Sequence, residues 1–252
     1  MSEKLTIEIP KDKVDIKAAR SLINTLVKIG VEYSKSENFE EAKKYLNKCL
    51  EIAKTIDNPP LIASSYYNLG LLNQKTGNFN DALKNYKNAI KIDPNRSDAH
   101  NNLGLILNKT LKKYEESEKE YREAIRINPD NAQAHYNLGV LLHNLKRYEE
   151  AEKEYREAIK INPEDGWAHD NLGILLSELN KIEEAEKEHR EAIRIDQNHA
   201  NAHANLGLLL SEIGKIKDAK QELEIAINLF KKQGNKTDVK TAKKLLKKLN
   251  KK

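Results

Sequence analysis

Residues 132–165 read AQAHYNLGVLLHNLKRYEEAEKEYREAIKINPED, and this frame decides the fold. Its triplet Asn137-Leu138-Gly139 returns as Asn68-Leu69-Gly70, Asn102-Leu103-Gly104, Asn171-Leu172-Gly173 and Asn205-Leu206-Gly207. Successive glycines are 34, 35, 34 and 34 residues apart. Small residues run in phase with them at Ala82, Ser117, Ala151, Ala185 and Ala219. A second small set follows seven residues later at Ala89, Ala124, Ala158, Ala192 and Ala226. Pro94, Pro129 and Pro163 close three of the copies. Five copies in one phase do not arise by chance, and a period of this length marks stacked repeats.

With the glycine set as position 8, the units begin at Ala63, Ser97, Ala132, Gly166 and Ala200. The one longer interval places an extra residue in the turn at Lys109–Lys113. A divergent first unit begins at Ile23, with Gly30 at position 8, Ala42 at 20 and Cys49 at 27. It is followed by six extra residues around Asp57-Asn58-Pro59-Pro60.

Each unit reads as two helices. Positions 4, 7, 8 and 11 (His135, Leu138, Gly139 and Leu142 in the quoted copy) share one helix face. Positions 20, 24 and 27 (Ala151, Tyr155 and Ala158) form the facing surface of a second helix. Small residues at 8 and 20 let the two backbones approach. Position 17 is apolar in every unit (Phe39, Phe79, Tyr114, Tyr148, Ile182, Ile216) and anchors the start of the second helix. Gly77, Asn180 and Gly214 at position 15 suit a left-handed turn. Proline at 32 ends the second helix, because the residue before it disfavours α geometry.

This pattern resembles the tetratricopeptide repeat (TPR) family over residues 23–233. Departures are Ser117 at position 20, Gln197 at 32, His189 and Leu223 at 24, and the first unit as a whole. The resemblance implies an all-α, right-handed α-solenoid of six helix pairs, with the first helices lining a concave groove. The expected organisation is an N-terminal segment 1–22 and repeats at 23–62, 63–96, 97–131, 132–165, 166–199 and 200–233. A basic capping helix and tail then occupies 234–252. In that segment Val239, Ala242, Leu246 and Leu249 form one apolar stripe among lysines, as a terminal repeat requires. At the other end Ile16, Ala19, Ile23 and Leu26 extend the first helix, and Leu5, Ile7 and Ile9 alternate like a short strand.

The chain has 252 residues, 33% of them charged, with 10 Gly, 6 Pro and a single cysteine. That composition disfavours a many-turned β fold, and one cysteine excludes an internal disulfide framework or a Cys-based zinc site. The first twenty residues hold no long apolar run, so neither a secretory leader nor a membrane span is expected. A soluble, cytoplasmic protein is the expectation. The net charge is +5, but residues 231–252 hold ten lysines against one aspartate, leaving the other 230 residues at −4. Only the tail could draw an anionic partner. No aromatic residue interleaves with its lysines, so nucleic acid and membrane surfaces are disfavoured as partners.

No phosphate loop, nucleophile elbow or paired-cysteine motif is present. The expectation is therefore a non-enzyme with no catalytic residue, no cofactor and no metal. His100, His135, His169 and His203 all occupy position 4, one repeat apart, where they pack between helices instead of converging on an ion. His199 lies four residues before His203 with no third ligand in view. The carboxylates of Tyr148-Glu149-Glu150-Ala151-Glu152-Lys153-Glu154 read as a solvated convex face. There Glu149–Lys153 and Glu152–Arg156 are i,i+4 pairs.

The non-core face of the first helices carries the informative residues. At about 100° per residue, positions 2, 5, 6, 9, 12 and 13 point away from the partner helix. Position 6 is Asn68, Asn102, Asn137, Asn171 and Asn205, an amide ladder. Each amide carries both donor and acceptor and can grip a peptide unit. The ladder resembles that of the TPR arm of O-GlcNAc transferases. Beside it, position 9 is Leu71, Leu105, Val140, Ile174 and Leu208, and positions 2 and 5 add Tyr67, Tyr136 and Trp167. Position 2 (Ser64, Asp98, Gln133, Trp167, Asn201) lacks the cations of TPRs that clamp C-terminal carboxylates, and only Lys28 is a cation at position 6. The expected partner is a protein or peptide held in this groove by an adaptor or scaffold. The alternative is a self-associating structural protein, a homo-oligomer.

Overall fold

The computed structural model describes residues 16–250. The alternating Leu5, Ile7 and Ile9 lie outside the described residues. Among those described, all regular structure is α-helix, and the chain divides into two compact units that meet in sequence at Pro129–Asp130. The first unit holds α1 (Ile16–Lys35), α2 (Phe39–Thr55), α3 (Pro59–Lys75), α4 (Phe79–Ile92), α5 (Ser97–Lys109) and α6 (Tyr114–Ile127). The second holds α7 (Ala132–Asn144), α8 (Tyr148–Ile161), α9 (Gly166–Glu178), α10 (Ile182–Ile195), α11 (Ala200–Glu212), α12 (Ile216–Lys232) and α13 (Lys236–Leu249). Each unit is a stretch of α-solenoid built from helix pairs, and within each the pairs stack in chain order.

Helices of a pair run antiparallel. Ser97 at the start of α5 donates its hydroxyl to the Ala124 carbonyl near the end of α6 (2.8 Å). Ser117 near the start of α6 donates to the Gly104 carbonyl in the middle of α5 (2.8 Å). The second bond explains why serine replaces alanine at position 20: its hydroxyl is buried but satisfied. The approach is closest at position 8. A Cβ on Gly139 would lie 2.8 Å from Tyr155 Cδ1, and one on Gly104 2.8 Å from Tyr121 Cε1.

Turns and caps follow local chemistry. Asn180 adopts φ 59°, with its own N–H on Ser177 O and the Lys181 N–H on Leu176 O. That is a Schellman ending. Glu37, Lys112 and Lys146 take the same left-handed conformation without being glycine or asparagine, so the sequence does not flag them. Asn58, Asn131 and Asp165 accept backbone N–H bonds at the starts of α3, α7 and α9. The extra residues near Asp57 lengthen helices and do not build a loop. Both α2 and α3 have 17 residues, against 14 in α4 and 13 in α5. Pro59 and Pro60 are tolerated because they sit in the first turn of α3, where N–H groups have no helical partner.

At the C-terminal end of the second unit, Ala242 and Leu249 of α13 are buried. Val239, Leu245 and Leu246 pack against Leu206, Leu210, Leu223 and Ile227. The apolar stripe thus closes the last pair, with its lysines outside.

Candidate functional site

The position 4 histidines are not simply packed. His100, His135, His169 and His203 each place Nδ1 2.6 Å from a carboxylate on the partner helix, namely Glu120, Glu154, Glu188 and Glu222. Glu154 therefore does not belong to a solvated face, as its sequence neighbourhood suggests. The other nitrogen of His100 and His169 meets the carbonyl of Pro94 or Pro163, both at 3.1 Å. Burial alone would lower the pKa of these two rings. The facing carboxylate and carbonyl outweigh it, and the net direction is up. Of the two surface pairs read from sequence, Glu152–Arg156 forms at 2.8 Å. Glu152 also reaches Lys181 of the next pair (2.9 Å), so it ties repeats together.

His199 stands at the N-terminal cap of α11. Its Nδ1 accepts the Ala202 N–H (3.2 Å) as the cap of α11, and its ring lies 4.3 Å from the Trp167 ring. Cys49 is buried, with burial raising its pKa to about 11, so it carries little thiolate at neutral pH.

In the first unit, the non-core face carries half-buried Asn68, Asn102 and Leu105. Leu71 is exposed beside them. Asn102 donates Nδ2–H to the Tyr67 hydroxyl (3.3 Å), and its Oδ1 accepts from Asn101 (3.4 Å). The Arg96 guanidinium lies over the Tyr67 ring at 5.3 Å.

In the second unit, Asn137 is buried and accepts from Gln133 (3.3 Å), while Val140 and Ile174 are half-buried. Trp167 is 54% exposed and Leu208 44%. Asn171 gives its amide hydrogens to the Tyr136 hydroxyl (3.2 Å) and the Trp167 carbonyl (2.9 Å). Asn205 donates to both oxygens of Asp170 (3.1 and 3.2 Å). The expectation that every amide offers donor and acceptor together therefore fails at Asn171, whose donors are committed inward. Its Oδ1 remains as an acceptor. Burial, with help from Asp165 and Asp170, raises the Tyr136 pKa, so its phenol stays protonated and can donate.

Position 5 also departs from expectation. It does not point away from the partner helix but meets position 24 on it. Tyr67 rests against Tyr86 (5.9 Å between ring centroids) and Tyr136 against Tyr155 (6.2 Å). In the next pair both members change together: Asp170, 2% exposed, accepts from His189 Nδ1 at 2.9 Å. The paired change at 170 and 189 is visible in the sequence once these positions are known to touch. Among the described residues, no three His, Cys, Asp or Glu side chains are placed to hold a metal ion. No helix there is long and apolar enough to cross a membrane.

Family profiles described as tetratricopeptide repeat match residues 21–95, 67–130, 110–166, 154–187 and 190–221. A curated relative, the anaphase-promoting complex subunit CDC16 of Saccharomyces cerevisiae, is 34% identical over 88 residues. That match covers 34% of this chain and 10% of CDC16, so the chain spans about a tenth of that protein's length. Among solved structures, PilF of Pseudomonas aeruginosa is 25% identical with a TM-score of 0.61, covering 74% of this chain and 91% of PilF. YrrB, described as a TPR protein with an unusual peptide-binding site, is 24% identical with a TM-score of 0.60, covering 79% of this chain and 97% of YrrB. MamA of Desulfovibrio magneticus RS-1 is 20% identical with a TM-score of 0.60, covering 68% and 96%. The last two share the fold. With the phased helix pairs, the position 8 and position 20 contacts and these profile matches together, the chain belongs to the tetratricopeptide repeat family.

Proposed function

We propose that this protein is a non-catalytic interaction module that holds a peptide segment of a partner against the first helices of its repeats. The observation that carries the reading is the exposed strip on the second unit. Trp167 and Leu208 remain largely uncovered while most large apolar side chains are buried. Trp167 adjoins Asn171, whose amide hydrogens go to the Trp167 carbonyl and the Tyr136 hydroxyl, leaving one acceptor oxygen and one phenolic donor at fixed positions. Exposed apolar surface edged by oriented polar groups suits an extended or helical peptide. In the first unit, Leu71, Leu105, Asn68 and Asn102 offer a smaller set of the same kind. TPR proteins are in general interaction scaffolds, and the peptide-binding site named for YrrB adds to this reading.

Trp167 is the only tryptophan, so its emission reports directly on the site. Peptides selected from a random displayed library should shift that emission. They should bind the Trp167→Ala and Asn171→Ala variants at least about tenfold more weakly, the loss of one good anchor. Selected peptides that bind both variants as tightly as the parent would place the function elsewhere.

A further inference from the structure

Between α9 and α11, above α10, lies a cavity of about 310 Å³. Its polar lining is Ser177, Glu178, His189, Asn205 and Glu212, with Ile174 and Leu208 among its apolar walls. Several hydrogens of these polar groups are spent inside the protein. His189 Nδ1 donates to the Asp170 carboxylate (2.9 Å). Asn205 Nδ2 donates to the same carboxylate. The Ser177 hydroxyl donates to the Gly173 carbonyl (2.9 Å). Glu178 faces His143 Nε2 at 3.2 Å and retains acceptor capacity, and Glu212 adds a second carboxylate. His189 is 1% exposed, its Nδ1 is committed to Asp170, and its ring is among the cavity's lining.

Acceptors thus predominate in the site, with two carboxylates among them, and no lysine or arginine lines it. An anion is repelled by two carboxylates. A metal ion lacks a converging set of three ligands among the described residues. A group with several N–H donors, a positive charge and an apolar stem suits the two carboxylates and the apolar walls. We infer that this cavity takes a lysine or arginine side chain of the bound partner segment. The stem lies along Ile174 and Leu208, and the charged head lies between Glu178 and Glu212. This rests on the groove reading only in taking the side chain from a peptide.

The test is an NMR titration of the isotope-labelled full chain with four blocked pentapeptides. These are alanine sequences with lysine, arginine, norleucine or glutamate at the centre. The lysine or arginine peptide should shift resonances of residues 174–178 and 205–212 and the imidazole of His189, and norleucine and glutamate should not. Glu178→Gln with Glu212→Gln changes two exposed positions and should keep the spectrum of a folded chain. It should weaken the basic peptide about tenfold, the loss of charge-assisted bonds. Equal shifts from norleucine, or no weakening in the double variant, would overturn the proposal. Shifts confined to Tyr136, Trp167 and Asn171 would sink the cavity and keep the groove, and silence at both places would sink both.

Discussion

At the scale of single residues, the fold rests on contacts with no slack. Replacing Gly139 by alanine should gain about 1 kcal/mol of helix propensity. The new methyl would meet the fully buried Tyr155 ring at 2.8 Å, and overpacking of that kind costs about 1–3 kcal/mol. The second effect wins, so Gly139→Ala should cost a net ~1 kcal/mol of stability, read as a lower urea midpoint with unchanged m. Gly30→Ala should cost less, because the atoms in its way are the end of a leucine side chain at 3.1 Å. The buried tyrosines allow a second comparison. Tyr86 donates its hydroxyl to Gln74 (2.8 Å), whereas the Tyr155 hydroxyl is buried without a partner among the described residues. Tyr86→Phe should therefore cost about 1 kcal/mol, and Tyr155→Phe should be neutral or stabilising. Thermal melts of the two variants side by side decide it, and an equal loss in both would contradict the assignment.

At the scale of elements, the helices of four pairs are joined by a histidine on the first and a glutamate on the second. The pH dependence has a definite sign at His100 and His169. Their pKa values are raised above the ordinary 6.5, so the folded chain binds protons more tightly than the unfolded one. The stabilisation is fully present below about pH 6.5 and is lost as pH rises through the raised folded values. Denaturant unfolding should show stability falling from about pH 6.5 upward, with a shallower slope in Glu120→Gln and Glu188→Gln. A slope of the opposite sign, or one unchanged in both variants, would show that these pairs do not titrate with folding. The helix faces themselves are legible in the sequence, because position 8 and position 20 repeat in one chain and any packed pair must place small residues together. The histidine–glutamate pairs are harder to see. Their partners lie 19 or 20 residues apart on different helices, so the register of the pair must be known first. Even so, the units with leucine or tyrosine at position 4 (Leu26, Tyr66) carry Tyr45 and Asn85 where the others carry glutamate. That co-occurrence is a readable signal.

At the scale of the whole molecule, a repeat array is stable only where each pair is covered on both sides. The amide ladder and the aromatic positions are legible as a surface because they fall off the core stripe. Their hydrogen-bond directions are not, since they depend on the preceding repeat: Asn171 turns to Tyr136 and Asn205 to Asp170. The same dependence on a neighbour governs the C-terminal end. There α13 covers Leu206, Leu210, Leu223 and Ile227 with Ala242, Leu249 and three half-buried aliphatics. Removing residues 236–252 would bare that flank and forfeit several kcal/mol, at about 25 cal/mol per Å² of apolar surface returned to water. In a nearest-neighbour array the loss falls first on the adjacent pair. Hydrogen exchange of the truncated chain should therefore show protection falling across α11 and α12, while α7 and α8 keep most of theirs. The bared leucines should also make its mass in light scattering rise more steeply with concentration than that of the intact chain. A uniform loss of protection from α7 to α12 would mean that the second unit unfolds as one cooperative block and that α13 stabilises all of it at once.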